Sequence, residues 1–308
     1  MKLVSFSHGD SSPRLGAVCN EGVISLSEAH RDRGGRIALP PAGDAVDLLR
    51  GGKALLDEVR EVQEWALESG WERILALDDV TLLAPIQSPP KFLLMAANYA
   101  KHVNESGRPL VDKADRIPRF FLKPTSSIIG PGAAVQLPKQ LGTAVDYEGE
   151  LGVVIGRRGS NIPLEKASDY IAGYLNVNDV SARKISLDSR QRTDVWDDFF
   201  DWIWGKWFDS FGPLGPYLVV DDFAVNQDVR VTTRINGELR QDAPVTDMIY
   251  TIEESITWIS RFMALEVGDI ISTGTPSGVG NATGTFLGPG DVMEVEVTGL
   301  GVLRNPVV

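Results

Sequence analysis

One cysteine, Cys19, is all the thiol chemistry in this chain of 308 residues. An intrachain disulfide framework and a cysteine-rich zinc site are both excluded. Histidine is nearly as scarce: His8, His30 and His102 are the only three. No run of about 18 apolar residues occurs, so no transmembrane helix is expected. The opening MKLVSFSHGDSSPRLG has one early lysine and no apolar core behind it, which is not the pattern of a secretory signal. A reducing, cytoplasmic setting with no membrane partner is the expectation. Positive charge is in deficit, 30 Lys and Arg against 42 Asp and Glu, a net charge of −12. Nucleic acid needs a basic surface and is excluded as an expected partner. A small anion is not, because a few buried cations can form a local site inside an acidic protein. A phosphate loop is missing too: GVGNATG (278–284) lacks the G-x-G-x-x-G spacing and a following Lys-Ser/Thr.

What is present is globular material, 43 % apolar and 23 % charged, so a packed core is expected. Residues 1–85 read as a small N-terminal α/β domain. KLVSFS, RLGAVCN and GVISLSE are short strand-like runs, and DAVDLLRGGKALLDEVREVQEWALESG carries apolar residues at helical spacing up to Gly70. VTLLAPIQSPP, with three prolines, reads as the linker into a larger domain over 86–308. There KFLLMAAN, RFFLKP, GELGVVIG, YIAGYLNVND, LGPYLVV, VRVTTRING, DIISTGTP and VMEVEVTGLGVLRNPV are strand-like. So many short strands with few helices predict an α+β, mainly β fold: a mixed β-sheet roll or barrel-like body. The clear late helix is TIEESITWISRFMAL, with Thr251 as N-cap and Glu254 as capping-box partner.

VDYEGELGVV (145–154) reads as a buried strand, yet Glu148 and Glu150 lie two apart and share a face. An isolated E-x-E is more often a solvated strand face. Here LGVVIG follows, as in a strand buried on both sides, and Gly149 and Gly152 leave room for another backbone or a ligand. Buried carboxylates side by side repel and require a cation. YLNVNDVSAR supplies Asp179 at the end of the next strand. Three carboxylates from two strands make a hard, all-oxygen site for Mg²⁺ or Mn²⁺, with Ca²⁺ a further candidate.

In NYAKHVNES, His102 and Glu105 lie three apart, and on a helical turn the carboxylate orients and polarises the imidazole. Alone, the pair would read as an exposed loop histidine beside a solvated glutamate. It follows an apolar strand, however, where a functional loop is expected. Lys123 in FLKP, Arg183 in SAR and Lys206 in WGKWFD would each read alone as a snorkelling surface cation. An acidic metal site with an anionic substrate gives all three a shared reason. TGTPSGVG (273–280), containing Gly274 and Thr275, offers hydroxyls and amides able to hold a carboxylate.

From about residue 91 to 308 the chain resembles the fumarylacetoacetate hydrolase superfamily, in its acylpyruvate (2,4-diketo acid) hydrolase branch. The resemblance is carried by NYAKHVNE, FLKPTSSIIGPG, DYEGELGVVIG, GYLNVNDVSAR, GKWFDSFGPLGP, INGELRQ, LEVGDIISTGTPSGVG and LGPGD, in that order. It implies a mixed β-roll, a divalent metal on Glu148, Glu150 and Asp179, and His102 with Glu105 as the dyad that activates water. It further implies Lys206 facing the substrate, Lys123 and Thr275 in the pocket, a homodimer, and an N-terminal segment that varies between members. Two departures stand out. Lys184 and Ser186 replace the family's usual Asp and a substrate-contacting Gln. The stretch from Asp179 to Lys206 is also longer, and VWDDFFDWIWGKW holds four of the seven tryptophans.

The reaction this implies is hydrolysis of a C–C bond in a small anionic 2,4-dioxo acid, derived from sugar or aromatic catabolism. His102 would deprotonate a water aimed at the 4-carbonyl, and Lys206 with the metal would stabilise the departing enolate. One alternative is a decarboxylase, isomerase or lyase of the same superfamily. Another is a non-catalytic protein with a stabilising Ca²⁺ site, against which the open coordination positions and the His–Glu pair both speak.

Overall fold

The computed structural model describes the chain except residues 10, 21, 36–37, 41–42, 108, 110–111, 139–143, 184, 186–193 and 221–222. Lys184 and Ser186 lie outside the described residues. The chain opens with strands β1 (Lys2–Ser7), β2 (Arg14–Cys19) and β3 (Gly22–Ser25), helices α1 (Leu26–Arg33), α2 (Ala45–Arg50) and α3 (Gly52–Glu68), and the short β4 (Thr81–Leu83). Next come β5 (Phe92–Ala96), α4 (Ala100–Glu105), β6 (Arg119–Leu122), β7 (Ile128–Ile129), β8 (Val145–Asp146), β9 (Gly149–Ile155), β10 (Ile171–Asn178) and β11 (Ser181–Ala182). Then follow α5 (Val195–Trp204), β12 (Gly212–Val220), β13 (Arg230–Ile235), β14 (Glu238–Pro244) and α6 (Ile252–Ile259). The last elements are β15 (Ile270–Ser272), α7 (Gly280–Thr283), β16 (Val292–Val297) and β17 (Val302–Pro306).

The main sheet has the order β3-β2-β1-β12-β10-β9-β15-β5-β6, with β4 added on β1 and β7 on β12. Two pairs, β15 with β5 and β7 with β12, are parallel, so the sheet is mixed. An antiparallel sheet, β14-β13-β16-β17, packs on β9 and β10 and completes the mainly β roll that the sequence predicts. The main sheet runs on across residue 85: Lys2 of β1 stands opposite Val219 of β12. One apolar cluster likewise joins Leu3, Leu48 and Val59 to Leu175, Leu214 and Ile270. Among the described residues no helix is long and apolar enough to cross a membrane.

Strand β9 is buried along its whole length. Leu151, Val153 and Ile155 join a cluster with Val231, Ile256 and Val297, while Val154 joins the cluster beneath α1–α3. Alternation puts Glu150 on the face of Val154. Gly149 and Gly152 make room for neighbouring side chains rather than for a ligand. A Cβ at Gly149 would stand 2.1 Å from Thr233 Oγ1, and one at Gly152 would stand 2.6 Å from Leu175 Cδ1.

Helix α6 starts as expected: Thr251 Oγ1 accepts from the Glu254 amide at 3.2 Å, and Glu254 Oε2 accepts from the Thr251 amide at 2.8 Å. The tryptophan-rich stretch forms a helix, α5, started by a capping box of Asp194 and Asp197. Asp197, Asp198 and Asp201 share one face of it, and the aromatic and aliphatic side chains take the rest of the surface. Trp196, Phe199 and Phe200 are exposed, whereas Trp202 turns inward and meets Phe121 edge-on at 4.9 Å.

Candidate metal centre and active site

The antiparallel register of β9 and β10 sets Glu150 opposite Val177 and Gly149 opposite Asn178. Glu148 sits just before β9 and Asp179 just after β10, so the two flank the same end of the pair. The Asp179 amide donates to the Glu148 carbonyl at 2.8 Å, and the Glu148 amide donates to Asn178 Oδ1 at 3.0 Å. Oxygens of Glu148, Glu150 and Asp179 thereby come within 4.8 Å of one another, all three side chains being buried. The structure unites the three predicted ligands.

Cations surround them. Lys206 Nζ bridges Glu148 Oε2 at 2.7 Å and Asp179 Oδ2 at 2.5 Å. Lys123 Nζ donates to Asp179 Oδ1 at 2.5 Å, to the Phe211 carbonyl at 2.6 Å and to the Val180 carbonyl at 3.0 Å. Arg183 spans Asp146 Oδ2, at 2.8 Å from Nε, and Glu148 Oε1, bonded through Nη2. Asp146 also accepts from the Gly280 and Asn281 amides, which ties the β8 segment to the start of α7. Glu150 differs: its Oε2 accepts from Ser272 Oγ at 2.5 Å and from the Gly274 amide at 2.9 Å. Among the described residues no cation pairs with it directly.

These surroundings split the carboxyl groups. Burial pushes Glu150 up to about 8, aided by the charges of Asp179 and Glu148 and opposed by Ser272. Burial would raise Glu148 too, but Arg183 and then Lys206 hold it well below the usual carboxylate range. Lys206 is raised although burial opposes its charge, because Asp179 and Glu148 flank it. For Lys123 burial prevails and lowers it against the pull of Asp179.

Three convergent carboxylates with no sulfur or nitrogen donor fit a hard divalent ion such as Mg²⁺ or Mn²⁺. Binding there must strip the proton from Glu150. Metal affinity should therefore rise by about tenfold per pH unit between pH 6 and 8 and level off above. Calorimetric titration with Mn²⁺ across that range checks the slope; a flat profile would contradict the protonation of Glu150.

Helix α4 presents His102 to the same cavity. His102 Nδ1 lies 2.8 Å from Glu105 Oε1, and Glu105 Oε2 accepts from the Gly278 amide at 2.8 Å. A carboxylate only accepts, so Nδ1 carries a proton, and in the neutral ring Nε2 is the nitrogen with the lone pair. The cavity, about 230 Å³, is lined by His102, Glu105, Arg183, Lys206, Thr275 and the carboxylate triad.

Two residues expected in the pocket hold the site from behind. Lys123 is fully buried on Asp179 and is not part of the cavity lining. Gly274 supports Glu150; its φ of +93°, and the 2.9 Å that would separate a Cβ from Asn98 Cβ, make glycine the fitting residue. Thr275 lines the cavity, with its hydroxyl donating to the Gly149 carbonyl at 3.0 Å. Sequence reasoning missed Asp146, Asn178, Ser272 and Gln241. Asp146 continues the i, i+2 pattern of Glu148 and Glu150, and that was the available signal. Gln241, which accepts from the Gly149 amide at 3.0 Å and donates to Thr275 Oγ1 at 2.7 Å, had none beyond its place in INGELRQ.

A β-roll cavity that gathers three carboxylates beside a His–Glu dyad has the make-up of a divalent-metal site. Residues 91–308 match the family model described as fumarylacetoacetate (FAA) hydrolase C-terminal, and the chain belongs to that family. Its members act as hydrolases, isomerases or tautomerases. A mitochondrial oxaloacetate tautomerase of Xenopus laevis is 35 % identical over 314 residues, covering 100 % of this chain and 90 % of the relative. The oxaloacetate tautomerase YisK of Bacillus subtilis is 35 % identical over 297 residues, covering 94 % and 93 %. Among solved structures, maleylpyruvate hydrolase from Sphingobium sp. SYK-6, in complex with manganese(II) and pyruvate, superposes with a TM-score of 0.75 at 28 % identity. It covers 100 % of this chain and 99 % of its own.

Proposed function

We propose that this protein is a divalent-metal enzyme that enolises a small 2-oxo acid, with keto–enol tautomerisation as the net reaction. The observation that carries the reading is the His102–Glu105 pair, 2.8 Å apart, on the wall of the cavity that holds the carboxylate triad. Its support is the likeness along nearly the whole chain to proteins named oxaloacetate tautomerases. Glu148, Glu150 and Asp179 would hold the ion, which when bound supplies a Lewis acid for the 2-oxo oxygen. His102 Nε2 takes the proton from the carbon next to the carbonyl and returns it on the enol's opposite terminus. Glu105, fixed by the Gly278 amide, keeps the imidazole in the tautomer that makes Nε2 the base. The Lys206 ammonium stands beside the oxygen on which negative charge develops.

A second reading, C–C hydrolysis of a 2,4-dioxo acid, uses the same dyad to deprotonate water. The likeness to a maleylpyruvate hydrolase supports it. Tautomerisation consumes no water and releases no second acid, so the products separate the two. Enol absorbance and proton NMR of the products are the measurements. Loss of enol signal without a new carboxylic acid is expected from an enolisable 2-oxo acid, and a stoichiometric second acid from an acylpyruvate would favour hydrolysis. His102→Ala should lower kcat by about 10²–10⁴-fold in either case; turnover that survives it would remove the dyad from the account.

A further inference from the structure

Phe121 and Trp202 form a continuous apolar wall on one side of the cavity, and no assigned role accounts for it. Lys206 Nζ, which contacts two of the triad carboxylates, lies 5.4 Å from the Phe121 ring centroid. The wall thus begins beside the metal centre. Trp202 continues it, edge-on to Phe121 with centroids 4.9 Å apart. Met95, Val103 and Val279 line the same cavity and add no charge.

The charges point the same way. Five carboxyl groups stand at the site against three Lys and Arg side chains: Asp146, Glu148 and Asp179 pair with Lys123, Arg183 and Lys206, Glu105 pairs with His102, and Glu150 has no such partner among the described residues. One divalent ion closes that difference. Arg183 and Lys206, the Lys and Arg side chains on the cavity wall among the described residues, are both held in ion pairs. A second substrate carboxylate would find neither of these cations free and would have to pair with neutral groups such as Ser106 and Asn281, which is costly for a buried charge. An aromatic or alkyl group would instead lie against two rings.

We infer that Trp202 and Phe121 select the distal end of the substrate, and that the preferred substrate is a 2-oxo monocarboxylate carrying an apolar, ring-sized group. This rests on the reading of the cavity as a 2-oxo acid site, and it departs from the dicarboxylic oxaloacetate named for the relatives. Trp202 is a specificity residue here rather than a catalytic one.

The test is calorimetric binding of pyruvate, phenylpyruvate and 2-oxoglutarate to the Mg²⁺-loaded protein, repeated with Trp202→Ala and Trp202→Phe. Phenylpyruvate is expected to bind at least tenfold more tightly than pyruvate, and 2-oxoglutarate no more tightly than pyruvate. In Trp202→Ala the phenylpyruvate-to-pyruvate affinity ratio should fall about tenfold, while Trp202→Phe should keep most of it. A residue that only packs the core would change both affinities alike and leave the ratio in place. Should the alanine variant fail to fold, Phe121→Leu reads the same ratio. Tighter binding of 2-oxoglutarate, or a ratio unmoved by the variants, overturns the inference. Selective binding with no enolisation of any of the three would overturn the proposed reaction and leave the wall's selectivity standing.

Discussion

Replacing Lys206 with methionine should destabilise the metal-free protein by about 3 kcal/mol, the lower end of what breaking a buried ion pair costs. The ammonium is buried between Glu148 and Asp179 and is the cation shared by both. Removing it leaves two buried carboxylates facing each other. The cost stays at the lower end because Asp179 keeps Lys123 and Glu148 keeps Arg183. Methionine matches the lysine stem closely, so lost packing adds little. A divalent ion would restore the missing positive charge. At a concentration about 100 times its dissociation constant it should return about 2.7 kcal/mol. Urea unfolding with chelator and with excess Mg²⁺ measures both numbers. A variant whose stability is the same with chelator and with Mg²⁺ would contradict binding of the ion at these carboxylates.

Glu150→Gln should separate folding from metal binding. In the metal-free protein at pH 7 the Glu150 carboxyl is mostly protonated, since burial and its acidic neighbours push it up to about 8. Glutamine keeps an acceptor oxygen for Ser272 and Gly274 and carries no charge, so stability without metal should stay within about 1 kcal/mol of wild type. The sign of the pH effect follows from the raised value. Between its unfolded value of 4.5 and about 8, the folded state retains a proton that the unfolded chain has released. Wild-type stability without metal should therefore fall as pH rises through that window, and the glutamine variant should lose this component. Metal affinity, in contrast, should drop by more than about 100-fold, beyond the effect of losing an outer-shell partner. Thermal unfolding from pH 5 to 8 and Mn²⁺ titration give the two readouts. Unchanged Mn²⁺ affinity would remove Glu150 from the ligand set.

Much of this site was legible because its residues are improbable where they stand. A carboxylate pair at the start of the apolar β9, and Asp179 at the end of an apolar strand, each demand compensation by a cation, a proton or hydrogen bonds. The capping box of α6 was equally plain, since Thr251 and Glu254 act through local spacing alone. What stayed hidden depends on distance in the fold. Lys123 reads from the sequence as a pocket residue; only the packing of β6 near Asp179 and Phe211 shows it to be a buried anchor. Gln241 on β14 reaches Gly149 across nearly a hundred positions of chain, which no spacing announces. Helix α5 did carry a helical signal, Asp197, Asp198 and Asp201 on one face behind the Asp194 cap, but its tryptophans read first as a packing cluster. The three-proline stretch before residue 91 suggested a clean break, yet pairing of β1 with β12 carries the sheet across it.

The central claim is that Glu148, Glu150 and Asp179 hold a divalent ion that lets His102 move a proton at the carbon beside a 2-oxo group. Deuterium incorporation at that carbon tests it most directly. Pyruvate and phenylpyruvate would be incubated in D₂O with the protein and followed by proton NMR, with Mg²⁺ and with chelator. The account predicts exchange well above the uncatalysed rate with Mg²⁺, none with chelator, and loss of exchange in both His102→Ala and Glu150→Gln. Exchange that is indifferent to metal, or absent from the Mg²⁺-loaded wild type while the ion is shown to be bound, would contradict it.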